Sequence, residues 1–171
     1  MTIRLGQIAP DFEQDTANGS IRFHPWLGAA WGMLFSYPRD FMPIASEELV
    51  EVAQLKLEWD RRMLRPVGLS VDSADSHRSF EQFVAATQGQ TFNFPLVADT
   101  DRAVADLYDM EHSEAHPGVT ASCLFLIDPR KRVRLILTHP IGVARNFRDL
   151  LRVIDGLQGT DVPEHAMHPT R

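Results

Sequence analysis

The chain has 171 residues, 44% hydrophobic and 23% charged, the composition of one ordinary globular domain rather than two. A formal charge of −6 and a pI near 5.6 exclude a surface built for nucleic-acid phosphates, which needs clustered Lys and Arg. No apolar run approaches the roughly 18 residues that span a bilayer, and the N-terminus turns acidic too soon for a secretory leader. No membrane partner is therefore expected, and the default location is the cytoplasm. One cysteine, Cys123, excludes a disulfide within the chain and a Cys-x-x-Cys redox pair.

In chain order, DTANGS at 15–20 predicts a hairpin, because Asn18-Gly19 tolerates the left-handed backbone of a tight turn. His24 to Gly28 reads as a short turn or helical piece. Trp31 to Tyr37 is an apolar run of buried-strand length. Pro43 suits the first turn of a helix predicted to reach Met63, with Leu49, Val52, Leu55, Trp59 and Met63 on one apolar face. A second buried strand follows over Arg65–Asp72, then a helix over Asp75–Gln88 with Phe80, Phe83 and Val84 inward. Phe94–Ala98 is a short strand, and Asp101–Met110 a helix. Glu111–Gly118 reads as a polar loop. Ala121–Asp128 and Val133–Thr138 form a hairpin, in which RKR at 130–132 is a turn rather than a phosphate site. A last helix spans Arg145–Leu157.

Strands alternating with helices and closed by a hairpin imply an α/β sandwich with a mixed central sheet flanked by helices. The expected domain is 1–158, with 159–171 a mobile tail.

The segment SYPRDFMPIASEEL, from Ser36 to Leu49, combines a strand end, a proline turn and a helix start. That is where α/β proteins place chemistry, yet Ala45 at its centre has none to offer. Together with LGQIAPDFE, IRFHPWLG, VGLSVDSADSH, FPLVADTDRAVADLY and ARNFRDLLRVIDGLQ, it resembles the one-cysteine peroxiredoxins over nearly the whole length. The family's C-terminal extension has no counterpart past about Gln158.

The resemblance implies a thioredoxin-like fold, a site at the helix N-terminus and a homodimer. The family motif is Pro-x-x-x-Thr-x-x-Cys, with an arginine from a remote strand to hold the peroxide and lower the thiol pKa. Pro38 matches the motif. Met42 stands for the threonine, Ala45 for the peroxidatic cysteine, Ser122 for the arginine, and Tyr37 for a histidine often found in the turn. Glu48 and Arg145 match a family carboxylate and a second arginine. Without the nucleophile, thiol peroxidase chemistry at this site is excluded. Cys123 does not replace it, since neighbours on a strand face opposite ways and a lone apolar-strand cysteine is usually inert.

These replacements imply a larger, less cationic pocket suited to an organic small molecule. Its wall would be Tyr37, Pro38, Met42, Ala45 and Ser122, with His116 reaching in from the polar loop. Glu48, Arg145, Glu47 and Asp40 are the candidates for non-redox acid–base work, such as cyclisation, rearrangement, elimination or hydrolysis. No cofactor is implied. Their plainer readings are a Glu48–Arg145 scaffold ion pair, helix-start carboxylates and a turn aspartate. His112 and His116 have i, i+4 spacing, but before Pro117-Gly118 a solvated loop is the simpler reading and no metal site is assigned. His24 reads as a scaffold hydrogen-bonder. Two alternatives stay open. One is a non-catalytic pseudo-peroxiredoxin with a binding or regulatory role. The other is an engineered Cys-to-Ala variant, which would leave Met42 and Ser122 unexplained.

Overall fold

A computed structural model describes residues 2–110 and 120–159. The elements run β1 (Glu13–Thr16), β2 (Gly19–Arg22), α1 (Phe23–Leu27), β3 (Trp31–Ser36), α2 (Pro43–Gln54), α3 (Lys56–Arg61), β4 (Leu64–Ser70), α4 (Ala74–Gln88), β5 (Leu96–Ala98), α5 (Ala103–Leu107), β6 (Ser122–Ile127), β7 (Val133–His139) and α6 (Phe147–Gly159). Seven strands form one mixed sheet in the order β2-β1-β5-β4-β3-β6-β7. The β5-β4-β3 pairings are parallel and the others antiparallel. The parallel centre needs helical crossovers, which α2–α3 and α4 supply.

Each face of the sheet carries its own core. On one, Met33, Phe35, Tyr37, Leu124 and Leu126 pack with Ala45, Leu49 and Val52 of α2, Phe80 and Val84 of α4, and Phe147 and Ile154 of α6. On the other, Leu34, Val67, Leu69, Cys123 and Phe125 pack with Phe12, Phe23 and Tyr108. The side-chain alternation of β3 and β6 thus puts Ser122 and Cys123 on opposite faces. Cys123 is buried in the second core, where a thiol acts as a small apolar group.

The hairpin forms as expected, with the Thr16 hydroxyl donating to the Gly19 carbonyl at 2.6 Å and Gly19 at φ 109°. The single helix expected over Pro43–Met63 is instead two. It breaks at Leu55, where the Trp59 indole N–H donates to the Val52 carbonyl at 2.9 Å. Met63, expected on the apolar face, lies beyond the helix at φ 50° and is 67% exposed. Phe83, expected inward, is 45% exposed, while Phe80 and Val84 are buried. Arg145 lies ahead of α6, whose Asp149 N–H is accepted by the Asn146 side chain at 3.2 Å.

Candidate functional site

The site grows from the turn between β3 and α2. Tyr37 leaves the strand end with its ring buried, and its hydroxyl donates to Asp40 Oδ1 at 2.7 Å. Asp40 is more than a turn residue. Its Oδ2 lies 2.8 Å from His77 Nδ1 and 2.9 Å from the Ser76 hydroxyl that donates to it. His77 Nε2 lies 3.0 Å from the Val97 carbonyl, which only accepts, so that nitrogen carries a proton. Nδ1 faces the Asp40 carboxyl at 2.8 Å, so a proton lies in that contact and the arrangement favours the charged form of His77. Burial works against its charge, but the Asp40 hydrogen bond and charge outweigh burial and raise the pKa, helped by the Val97 carbonyl. The Tyr37 hydroxyl is pushed well up, first by burial and then by the Asp40 charge, so it stays protonated.

From the other side, Asp72 Oδ2 accepts the Asp40 N–H at 2.8 Å and the Ser70 hydroxyl at 2.7 Å. Held from both sides, the next residue, Phe41, adopts φ 64°. This left-handed backbone costs a non-glycine residue about 1–3 kcal/mol and persists only where its surroundings over-determine it. His77 was not among the residues singled out from sequence. Its signal was position, since 77, 80 and 84 share one helical stripe with Phe80 and Val84.

Glu48 and Arg145 meet as a buried ion pair. Arg145 Nε donates to Glu48 Oε2 at 2.6 Å and Nη2 to Oε1 at 3.1 Å, while the Arg145 backbone N–H donates to Oε2 at 2.9 Å. Two further guanidinium N–H groups go to the Cys123 carbonyl at 2.9 Å and the Ser36 carbonyl at 2.7 Å. The guanidinium is also about 5.5 Å from the Phe35 ring and 5.3 Å from the Phe147 ring. Each guanidinium nitrogen is engaged, so Arg145 ties β3, β6, α2 and the start of α6 together.

Ala45, at the place of the family thiol, is fully buried beside Tyr37 and Leu49. Pro38 is buried, and Met42 packs half-buried against the same cluster. Ser122 faces this core, and its buried hydroxyl has no hydrogen-bond partner among the described residues; the same holds for Thr120. An unmatched buried hydroxyl costs about 1–3 kcal/mol. Ser122→Ala is thus expected to leave the melting temperature unchanged or raise it. A clear loss in thermal unfolding would show that the hydroxyl is satisfied in solution.

Open space lies on the other face of α2. A cavity of about 810 Å³ is lined by Pro43, Ser46, Glu47, Val50 and Glu51 of α2, together with Phe41, Phe83, Arg145 and Asn146. Tyr37, Pro38, Met42, Ala45 and Ser122 do not line it; all but the half-buried Met42 are packed core. Of the acid–base candidates, Glu47 and Arg145 touch the cavity, whereas Asp40 and Glu48 are turned inward. Glu47 is exposed and makes no ion pair or hydrogen bond among the described residues. His112 and His116 lie outside the described residues, and so do residues 160–171 of the expected tail. Among the described residues, no group of three or more His, Cys, Asp or Glu side chains is placed to hold a metal ion. His24 accepts its scaffold role, with Nε2 2.7 Å from the Ala9 carbonyl.

The chain matches the model of the AhpC/TSA family over residues 5–136. It is 41% identical to a 1-Cys peroxiredoxin of Dictyostelium discoideum over 159 residues, covering 93% of this chain and 66% of that protein. It is 42% identical to the mitochondrial peroxiredoxin PRX1 of Saccharomyces cerevisiae over 166 residues, covering 93% and 64%. The chain therefore spans just under two thirds of the length of these two relatives. Among solved structures, a cysteine-to-serine mutant of the peroxiredoxin 6 of Arenicola marina superposes with a TM-score of 0.87 at 36% identity, covering 95% of this chain and 76% of that one. A yeast mitochondrial 1-Cys peroxiredoxin does so with a TM-score of 0.87 at 41% identity, covering 94% and 78%. The sheet order, the turn before α2 and these likenesses agree: the chain belongs to the AhpC/TSA family and is related to its one-cysteine peroxiredoxins, with Ala45, Met42 and Ser122 in place of the reactive cysteine and its two helpers.

Proposed function

We propose that this chain is a peroxiredoxin-fold protein that does not reduce peroxides through a thiolate. The α2 cavity instead binds an organic small molecule, on which Glu47 acts as the acid–base group. The observation that carries this reading is the pairing of an open cavity of about 810 Å³ with a carboxylate that has no partner among the described residues. Such a volume suits a compound of drug size. The methyl of Ala45 supplies no nucleophile, and Cys123 is sealed in the opposite core. The chemistry open to a lone carboxylate is proton transfer, as in an elimination, cyclisation, rearrangement or hydrolysis.

A peroxide-consumption assay with excess thiol reductant tests the first half. The unmodified protein is expected to match the buffer rate, and consumption that survives Cys123→Ser would overturn the reading. For the second half, Glu47→Gln should abolish turnover of any substrate found while leaving the unfolding curve in place.

A non-catalytic binding or regulatory role is the second reading, favoured by the engagement of Asp40, Glu48, Tyr37 and Arg145 in internal contacts. Ligand binding without turnover would decide for it. Homodimer formation is part of the proposal and is supported by β7, an edge strand carrying half-buried Leu135, Ile136 and Leu137. An edge of this kind offers unpaired backbone groups to a second copy. A cytoplasmic location is supported only in that no described helix is long and apolar enough to cross a membrane.

A further inference from the structure

The geometry points to an organic cation, an amine carrying an aromatic or aliphatic body, as the ligand of the α2 cavity. This rests on the reading of that cavity as a ligand site and adds the class of compound it takes.

Three observations carry it. The first is charge. Two carboxylates, Glu47 and Glu51, line the cavity, and among the described residues the one lining cation is Arg145. Arg145 is neutralised by the bidentate Glu48 contact, and two further N–H groups go to the carbonyls of Ser36 and Cys123. Glu51 is partly satisfied, accepting the backbone N–H groups of Phe147 at 3.2 Å and Arg148 at 3.3 Å from the start of α6. Glu47 accepts from nothing among the described residues. The cavity therefore holds a net negative potential centred on Glu47, which favours a cation and repels a carboxylate or phosphate.

The second is the aromatic wall. Phe41 and Phe83 line the cavity, and both are nearly half exposed. Their ring centroids are 5.6 Å apart, and Phe41 is 5.2 Å from the buried Phe80. Ring faces attract an ammonium group and also cover an apolar body, so rings next to a carboxylate suit a molecule with both parts. The third is the cost of placing the Phe41 ring there. Its left-handed backbone is imposed by the Tyr37, Asp40, His77 and Asp72 contacts on the turn. A fold that strains its backbone to hold an exposed aromatic ring beside a cavity marks that ring as part of a binding surface.

The test is calorimetric titration of the full chain with three probes of one shape: 2-phenylethylammonium, neutral 2-phenylethanol and anionic 3-phenylpropionate. The cation is expected to bind about tenfold or more tightly than the alcohol at low salt, and the anion least. That preference should shrink as sodium chloride is raised. Glu47→Gln should reduce the cation to the affinity of the alcohol and leave the alcohol unchanged. Phe83→Ala should weaken both. If cation and alcohol bind equally and Phe83→Ala weakens both, the cavity is a ligand site and the cation assignment is overturned. If no probe binds at millimolar concentration, both this inference and the ligand-site reading fall. If no probe binds and Phe83→Ala halves the particle mass in solution, the cavity is an interface between copies, which also overturns the inference.

Discussion

Arg145→Met is expected to destabilise the protein by about 3–5 kcal/mol, the cost of leaving one member of a buried ion pair without its partner. At roughly 2–4 °C per kcal/mol for a chain of this size, the loss in melting temperature is of order 10 °C. The reason is geometric. Glu48 is almost wholly buried and receives three N–H contacts, all from Arg145. The backbone N–H remains in the variant, but the two guanidinium contacts vanish and the carboxylate keeps its full desolvation cost. The Ser36 and Cys123 carbonyls lose donors at the same time. The double variant Glu48→Gln/Arg145→Met should lose less than Arg145→Met alone, because it removes the buried charge. Thermal and urea unfolding of the three proteins checks this. Equal losses in the single and double variants would mean that Arg145 acts by its packing on Phe35 and Phe147 rather than by its charge.

His77→Leu is expected to cost a similar amount, about 3–5 kcal/mol near pH 6, and to flatten the dependence of stability on pH. The His77 pKa is raised in the fold above its unfolded value of about 6.5. Between those two values the native state holds one more proton than the unfolded chain. Stability contributed by this group is thus complete below about pH 6.5 and is lost as pH rises through the folded-state value, at up to about 1.4 kcal/mol per pH unit. Chemical unfolding at a series of pH values from 5 to 9 should show this decline in the unmodified protein and its absence in His77→Leu. A decline that persists in the variant would assign it to another group. Because Asp40 also positions Phe41, the variant should loosen the turn before α2, read as faster amide exchange at Asp40 and Phe41.

The fold was legible in the sequence because its signals are local. Asn18-Gly19, the proline at the start of α2 and the apolar runs of β3, β4 and β6 each act within a few residues. The misplaced features were those that side-chain contacts decide. The Trp59 indole bonds the Val52 carbonyl at the break after α2, and Phe83 sits on the stripe edge that the fold leaves open to a cavity.

The sequence by itself determined that position 45 carries a methyl group and no thiol, and that Cys123 is the one cysteine. It also supplied Glu48 and Arg145, an acid and a base that the fold then pairs. Only the tertiary structure decided which side of α2 is open. Burial belongs to a whole side chain's surroundings, so Ala45 and Ser122 became packed core while Glu47, two residues from Ala45 and on the opposite helical face, was left facing open space. It also decided that His77 and Asp40, 37 residues apart, share a proton-bearing contact inside the protein. That pairing needs β4 and α4 to fold back over the turn, and no local pattern in the sequence encodes such a distance.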